Sequence, residues 1–220
     1  MKKIEITEII KTIAPDFKGV AISCRVRNSE PDEALWKELD AEMLHFCECY
    51  KVEQINKRKP IQATRQAYKA LGKDPNRYRP SAEALCRRIL KEKSLYRINT
   101  LVDLINLVSI HTGFSIGGFD AARISGDTLW LGAGKADEVF CGIGRGPLNI
   151  EGLPVYRDAV GGIGTPTSDE ERTKLTVEST DLLMIINGYS GEEGLDEAVA
   201  YSIELLKRYA EATEIEVVRF

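Results

Sequence analysis

Residues 97–120 constrain the fold of this chain more than any other segment, because they combine an apolar helix with a narrow polar stripe. Apolar side chains fall on nearly every side of the predicted helix, which is typical of a buried helix. They are Leu101, Val102, Leu104, Ile105, Leu107, Val108 and Ile110. Yet Asn99, Asp103 and Asn106, spaced by four and then three residues, share one stripe. Such a stripe must bond to neighbouring backbone or line a polar cavity.

The ends of this helix are also predicted by its sequence. Asn99 or Thr100 can cap the start, since either side chain accepts a hydrogen bond from an orphaned backbone N–H. Gly113 is expected to end it, because glycine adopts the left-handed conformation at no steric cost. A glycine-rich turn is predicted next, where Gly117 and Gly118 permit close approach by another backbone or by a ligand.

The composition is that of an ordinary globular protein, with 220 residues, 43% of them hydrophobic and 29% charged. No run approaches the roughly 20 apolar residues of a membrane helix. The first apolar run is broken by Glu5 and Glu8, which is unlike a signal peptide. The cysteines form an odd set without a disulfide framework, which fits a reducing compartment. They are Cys24, Cys47, Cys49, Cys86 and Cys141. We therefore expect a cytoplasmic protein with no membrane partner.

A metal or cofactor site is not expected. His45, Cys47 and Cys49 lie close together in sequence, but no second ligand pair follows at zinc-site spacing. Because they lie in an amphipathic helical stretch, the favoured interpretation is buried thiols beside an incidental histidine. Residues 142–146, GIGRG, follow no strand-to-helix pattern, so a hairpin or loop is favoured over a phosphate-binding loop, although Arg145 could meet an anion.

The order of predicted elements favours an α+β fold of layered, packed β-sheets and helices. Strands are predicted at residues 2–10, 18–25, 128–131, 139–141, 154–156, 182–186 and 214–220. Helices are predicted after Pro31, from Pro60 to Gly72, from Ser81, from Asn99 and across residues 193–212. No linker or repeat divides the chain, so residues 1–220 are expected to form a single domain.

Charge is distributed unevenly along the chain. The net charge is −4, but residues 51–100 hold 14 Lys and Arg against 4 Asp and Glu, so this block carries +10 and the remainder −14. Arg87, Arg88, Lys91 and Lys93 are expected on the outward face of the third helix. Two interpretations stay open: a surface for a phosphate-bearing partner, or a solvated face of long basic side chains.

The strongest polar cluster is TPTSDEERT at residues 165–173. Hydroxyl and carboxylate groups in one loop can bond a ligand or the loop's own backbone, and both interpretations stay open. Arg172 can bind a carboxylate or phosphate through its planar fork.

Four segments in order, RPSAEAL, INTLVDLINLVS, GFSIGGFD and TPTSDEERTKLT, resemble the B3/B4 editing domain of the bacterial phenylalanyl-tRNA synthetase beta subunit. More closely, they resemble freestanding proteins that consist of that domain alone. The resemblance covers residues 78–190, with a helical flank at 31–77 and a C-terminal helix and strand at 193–220. It implies an α+β fold around an aminoacyl-binding cavity, which in the synthetase hydrolyses tyrosine wrongly attached to phenylalanine tRNA.

Individual positions carry this resemblance. Asn99, Val102, Asp103 and Asn106 match the pattern N-x-x-V-D-x-x-N, and Asp120 matches the last aspartate of G-x-P-L-H-A-F-D. The synthetase has a pocket histidine where this chain has Gly117, whereas the freestanding relatives commonly carry Gly-Gly there.

An ester hydrolase of this kind needs a positioned water and oxyanion donors. The candidate catalytic groups are Asp103 or Asp169 for the water and the backbone N–H groups of Gly117 and Gly118 for the oxyanion. The remaining candidates are grouped by role. The substrate-binding residues are Asn99, Asn106, Asp120, Thr167, Ser168, Arg172 and Thr173, and the tRNA-binding residues are Arg79, Arg87, Arg88, Lys91 and Arg97.

Three functions are compatible with the sequence. The first is hydrolysis of mischarged aminoacyl-tRNA in trans. The second is a non-catalytic module that binds tRNA or a free amino acid, and the third is a protein-interaction domain. Aminoacylation is not expected, because no ATP-binding signature is present and the matched region belongs to the proofreading part of the synthetase. No DNA partner is expected.

Overall fold

The computed structural model describes residues 2–91 and 94–220; Lys93, expected on the outward face of the third helix, lies outside them. The helices are α1 (Glu8–Ile13), α2 (Glu33–Cys49), α3 (Lys59–Ala70), α4 (Ser81–Ile89), α5 (Thr100–Thr112) and α6 (Leu195–Tyr209). The first five strands are β1 (Lys3–Ile6), β2 (Lys18–Arg25), β3 (Ile116–Asp120), β4 (Thr128–Ala133) and β5 (Cys141–Gly142). The others are β6 (Gly146–Pro147), β7 (Pro154–Arg157), β8 (Gly162–Gly164), β9 (Asp181–Gly188) and β10 (Thr213–Arg219).

Two four-stranded sheets organise the fold. The first has the order β10-β2-β9-β3 and the second the order β1-β4-β7-β8, while β5 and β6 form a separate hairpin. Strand β1 pairs with β4 in parallel, and the other pairs within the two sheets are antiparallel. Strand β3 lies at an edge of the first sheet, and this edge borders the candidate site described below.

The centre of the first sheet is buried on both faces, as strand β9 shows. On β9, Leu182, Met184 and Ile186 belong to the core beneath the helices, whereas Leu183 and Ile185 belong to the core shared with the second sheet. This division follows the two-residue period of a strand. The fold is thus a layer of helices, a central sheet and a second sheet, which confirms the predicted α+β class.

Helix α5 packs against the central sheet and has the predicted ends. The Asn99 side chain accepts a hydrogen bond from the Val102 N–H at 3.0 Å, and Gly113 ends the helix with φ 84°. Nine residues of the helix are buried, including Asp103 and Ser109, so its all-round apolar pattern predicts its burial correctly.

The glycine-rich turn predicted after this helix is wrong, because residues 116–120 form the buried strand β3. A Cβ on Gly118 would lie 2.4 Å from the Ile105 Cδ1 of α5, and a Cβ on Gly117 would lie 2.7 Å from the Phe119 Cζ. The two glycines are therefore required by close packing, of Gly118 against α5 and of Gly117 against Phe119, rather than by a turn.

Three smaller predictions change. Residues 2–10 divide into β1 and α1, and the strand predicted at 139–141 is replaced by the β5–β6 hairpin across GIGRG. Cys47 and Cys49 are exposed rather than buried, because they lie on the outer side of α2 near its end. Within residues 2–91 and 94–220, the helices are too short or too polar to cross a bilayer.

Candidate functional site

A cavity of about 440 Å³ lies between α5, the edge strand β3 and the loop formed by residues 165–169. Its volume is within the range of about 300–1,000 Å³ typical of small-molecule sites. It is lined by Ser81, Leu85, Ile98, Val102, Ile105, Asn106, Ser109, Ile116, Gly118, Ile143, Thr165, Ser168, Asp169, Lys174 and Leu175. The polar helix and the polar loop singled out by the sequence therefore meet at one hollow.

Helix α5 supplies one wall of the cavity. Val102 and Ile105 give it an apolar surface, and the half-buried Asn106 lies between them and Ser109 along the helix. The Ser109 hydroxyl already donates to the Phe114 carbonyl at 2.7 Å. The Asn106 amide makes no side-chain hydrogen bond to another residue among 2–91 and 94–220, so its donors and its acceptor can serve a ligand.

The 165–169 loop both bonds to itself and lines the cavity. The Thr165 hydroxyl accepts hydrogen bonds from the N–H groups of Thr167 and Ser168 and donates to the Ser168 carbonyl. Thr167 is directed away from the cavity, where its hydroxyl lies 2.8 Å from the hydroxyl of the buried Tyr68. Thr165, Ser168 and Asp169 border the hollow, so the loop bonds to its own backbone and also lines the cavity.

Asp169 supplies a carboxyl group to the cavity wall. Its Oδ2 accepts a hydrogen bond from the Gly118 N–H at 3.2 Å. Burial raises the pKa of Asp169 to about 7, and the hydrogen bond from Gly118 only partly opposes this effect. Near neutral pH the carboxyl is therefore close to half ionised, as a general acid–base group requires.

Lys174 and Ile143 are among the cavity residues that were not predicted as site residues from the sequence. Lys174 follows the polar cluster directly and forms an ion pair with Glu171, which places a cation at the cavity. Ile143, at the tip of the β5–β6 hairpin, is 41% exposed, and its N–H donates to the Asp169 carbonyl at 3.1 Å. Only the position of Lys174 next to TPTSDEERT could have suggested it.

The polar stripe of α5 divides between structural and cavity positions. Asp103 is outside the cavity lining; its carboxylate accepts hydrogen bonds from the Trp36 Nε1–H at 2.7 Å and the Ile98 N–H at 3.1 Å. Burial raises the pKa of Asp103, and the bond from Trp36 opposes this. Asn99 caps the helix, and its Nδ2 donates to the Leu175 carbonyl at 3.4 Å. Only Asn106 lies at the hollow.

Three further predicted substrate-binding residues also lie away from the cavity lining. Asp120 accepts hydrogen bonds from the Ser179 hydroxyl and the Ala122 N–H, which ties down the turn after β3. Thr173 is fully buried, and its hydroxyl finds no hydrogen-bond partner within the described chain. Arg172 forms a two-pronged ion pair with Asp158, at 2.9 and 3.0 Å.

The Arg172–Asp158 pair is structural in character. Burial by itself would raise the pKa of Asp158, but hydrogen bonds from Arg172 and from three backbone N–H groups lower it below its usual value. Both carboxylate oxygens of Asp158 thus accept hydrogen bonds. Arg172 therefore contributes to holding the loop after β8 rather than to the cavity.

The predicted tRNA-binding residues are partly used within the protein. The buried carboxylate of Glu83 accepts a hydrogen bond from Arg87 and forms an ion pair with Arg79. Arg97 pairs with Glu33 at 2.5 Å, and Arg88 donates to the Ser94 carbonyl at 2.7 Å. The remaining predicted residue, on the turn after α4, is the exposed Lys91. The basic block is therefore both a structural network and a positive surface.

No three His, Cys, Asp or Glu side chains of the described ranges cluster as metal ligands would. His45 lies 3.5 Å from the Cys49 Sγ through its Nε2, one turn apart on α2.

Comparison with known proteins places the chain in a family. The model of the B3/4 domain matches residues 63–211. Among solved structures, one similar chain is an N-terminal fragment of the phenylalanyl-tRNA synthetase beta-subunit from Pyrococcus horikoshii, at 14% identity and a TM-score of 0.48. That match covers 98% of this chain and 50% of the fragment, so the chain spans about half the fragment's length. No similar sequence was found among curated proteins. Because the family model matches well over half of its residues, the chain belongs to the B3/4 domain family.

Proposed function

We propose that the cavity binds the aminoacyl end of a charged tRNA and that the chain hydrolyses the ester in trans. The observation that carries this proposal is Asp169, a carboxyl group with a pKa of about 7 in the wall of a largely apolar cavity. The motif resemblance to an editing domain and the membership of the B3/4 family support the substrate class.

Asp169 would act first as a general base and then as a general acid. Its ionised carboxylate accepts a proton from a water molecule, and the oxygen of that water forms a bond to the ester carbonyl carbon. The bond from this carbon to the ribose oxygen then breaks with its electron pair going to that oxygen, and the protonated Asp169 gives its proton to the oxygen, which leaves as a ribose hydroxyl. Proton transfer of this kind contributes about 10²–10⁴-fold in rate.

The cavity wall would select and orient the amino acid. Val102, Ile105 and Leu175 offer an apolar surface for its side chain, while the Asn106 amide can bond its polar groups. Lys174 supplies a positive charge for a tRNA phosphate next to the aminoacylated end.

A second candidate function is binding of aminoacyl-tRNA or free amino acid without hydrolysis. One observation favours it: the Gly118 N–H, a predicted oxyanion donor, already donates to Asp169. An N–H used in this way is less available to stabilise a developing oxyanion.

A deacylation assay tests the proposal. tRNA charged with phenylalanine, tyrosine, serine, threonine or alanine is incubated with the chain, and amino-acid release is followed from pH 5.5 to pH 8. For at least one amino acid we expect release above the uncatalysed rate, rising with an apparent pKa near 7. Asp169→Asn should slow release by about 100-fold or more. Asp127→Asn, which changes an exposed carboxylate outside the cavity, is the matched control.

The outcomes separate the candidates. If the chain binds charged tRNA but releases none of the tested amino acids, hydrolysis is contradicted and the binding module is supported. If the chain neither binds charged tRNA nor releases an amino acid from it, both candidate functions are contradicted. The protein-interaction hypothesis then remains.

A further inference from the structure

The segment between α4 and α5 carries an exposed aromatic side chain at the border of the cavity. Residues 94–98 have neither helical nor strand structure. Leu95 is buried, whereas Tyr96 is 68% exposed and Ile98 50% exposed. Arg97 is exposed as well and packs over the Trp36 ring at 4.6 Å. Ile98 also lines the cavity, so it lies at the rim. Tyr96 therefore precedes the rim residue Ile98 by two positions in the sequence.

The Tyr96 ring is held in place by an arginine. The Arg88 guanidinium carbon lies 4.2 Å from the centroid of the Tyr96 ring, which is a close cation–π contact. Arg88 is fixed in turn, since its Nε donates to the Ser94 carbonyl at 2.7 Å. A ring covered on one side by a guanidinium, and still largely exposed, offers its other face to a flat ligand.

The charge on helix α4, which carries Arg88, favours a nucleotide over an apolar protein segment. Helix α4 lines the cavity through Ser81 and Leu85, and Glu83 between them has several arginine neighbours. Arg65, Arg79 and Arg87 all approach the single carboxylate of Glu83, so these side chains keep a positive excess. Exposed aromatic rings with arginine neighbours are the usual means of binding single-stranded nucleic acid, by stacking on bases and neutralising phosphates.

We infer that Tyr96, backed by Arg88, is a stacking platform for the base of the 3′-terminal nucleotide of tRNA. This inference rests on the proposed function, because the amino acid of a charged tRNA is an ester on the ribose of that nucleotide. Ile98, two residues after Tyr96, lines the cavity, so a base on Tyr96 lies beside the rim while its ester enters the cavity past Ile98. The platform positions the substrate and takes no part in proton transfer.

The test measures the binding of two uncharged tRNAs to the full chain, one with its intact 3′ end and one lacking the terminal nucleotide. Wild type is expected to prefer the intact tRNA by about tenfold, the affinity of one stacked base. In Tyr96→Ala this preference should fall to near one, and Tyr96→Phe should restore it because the ring is retained. Trp130→Ala removes another exposed aromatic side chain, on β4 and outside the cavity lining, and should keep the wild-type preference.

Each result has one meaning. If Tyr96→Ala keeps the full preference for the intact tRNA, the platform is contradicted. It is also contradicted if Trp130→Ala loses as much of this preference as Tyr96→Ala does. If wild type deacylates charged tRNA while Tyr96→Ala keeps the preference, only the platform fails. If wild type binds neither tRNA, the proposed function and the platform are both contradicted. Equal thermal unfolding midpoints for all four chains confirm that the comparison concerns folded protein.

Discussion

Replacing Asp169 by Asn should stabilise the fold at neutral pH while removing the hydrolysis that we propose. The pKa of this carboxyl rises from its ordinary value of 3.8 to about 7 on folding, because burial disfavours the charged form. The folded state therefore holds the proton more tightly than the unfolded state. The stability that this group contributes is complete below pH 3.8 and is lost as the pH rises through 7.

The size of the effect follows from the shift. Each pKa unit corresponds to about 1.4 kcal/mol, so ionising Asp169 in the folded chain costs about 4 kcal/mol at pH 8. Asparagine carries no charge at any pH, and its Oδ1 can still accept the Gly118 N–H that now bonds the carboxylate. The variant should thus match wild type at pH 4 and exceed it by up to about 4 kcal/mol at pH 8.

Urea unfolding of both chains at pH 4, 5, 6, 7 and 8 measures this difference directly. Comparing the variant with wild type at each pH cancels the titration of other groups. A flat difference for Asp169→Asn, or one that favours wild type at pH 8, would refute the argument. A variant that is more stable and inactive identifies a residue kept for function at a cost in stability.

Two structural predictions follow from the neighbours of the cavity. Asp103→Ala leaves the buried Trp36 Nε1–H without its acceptor, so the free energy of unfolding should fall by about 2 kcal/mol; full stability with lost deacylation would instead make Asp103 a site residue. Gly118→Ala places a methyl group 2.4 Å from the Ile105 Cδ1 and should cost about 1–3 kcal/mol. Ile105→Val removes that atom, so the double variant should be more stable than the sum of the two single changes predicts; strict additivity in chemical denaturation would contradict the contact.

Local signals in the sequence predict much of the fold. The caps of α5, at Asn99 and Gly113, depend on backbone chemistry within a few residues, and both are as expected. The division of apolar residues along β9 follows from the period of a strand. The meeting of α5 with the 165–169 loop at one cavity was expected from the family resemblance, and the cavity lies there.

The roles of single side chains depend on partners distant in sequence, which no local pattern contains. Asp103 and Asn106 share one stripe, but Asp103 meets Trp36 from another helix whereas Asn106 faces the hollow. Arg172 is a residue type that often binds anions, yet its guanidinium already donates to Asp158 from the preceding loop. Gly118 looks like a turn residue because its packing against Ile105 is invisible without the fold.

A crystal structure with a non-hydrolysable aminoacyl-adenosine amide tests the central claim most directly. The amino-acid side chain should lie against Val102 and Ile105, with polar atoms within about 3 Å of the Asn106 amide and the Asp169 carboxyl. A ligand bound elsewhere on the chain, with the cavity between α5 and the 165–169 loop left without it, would contradict the claim.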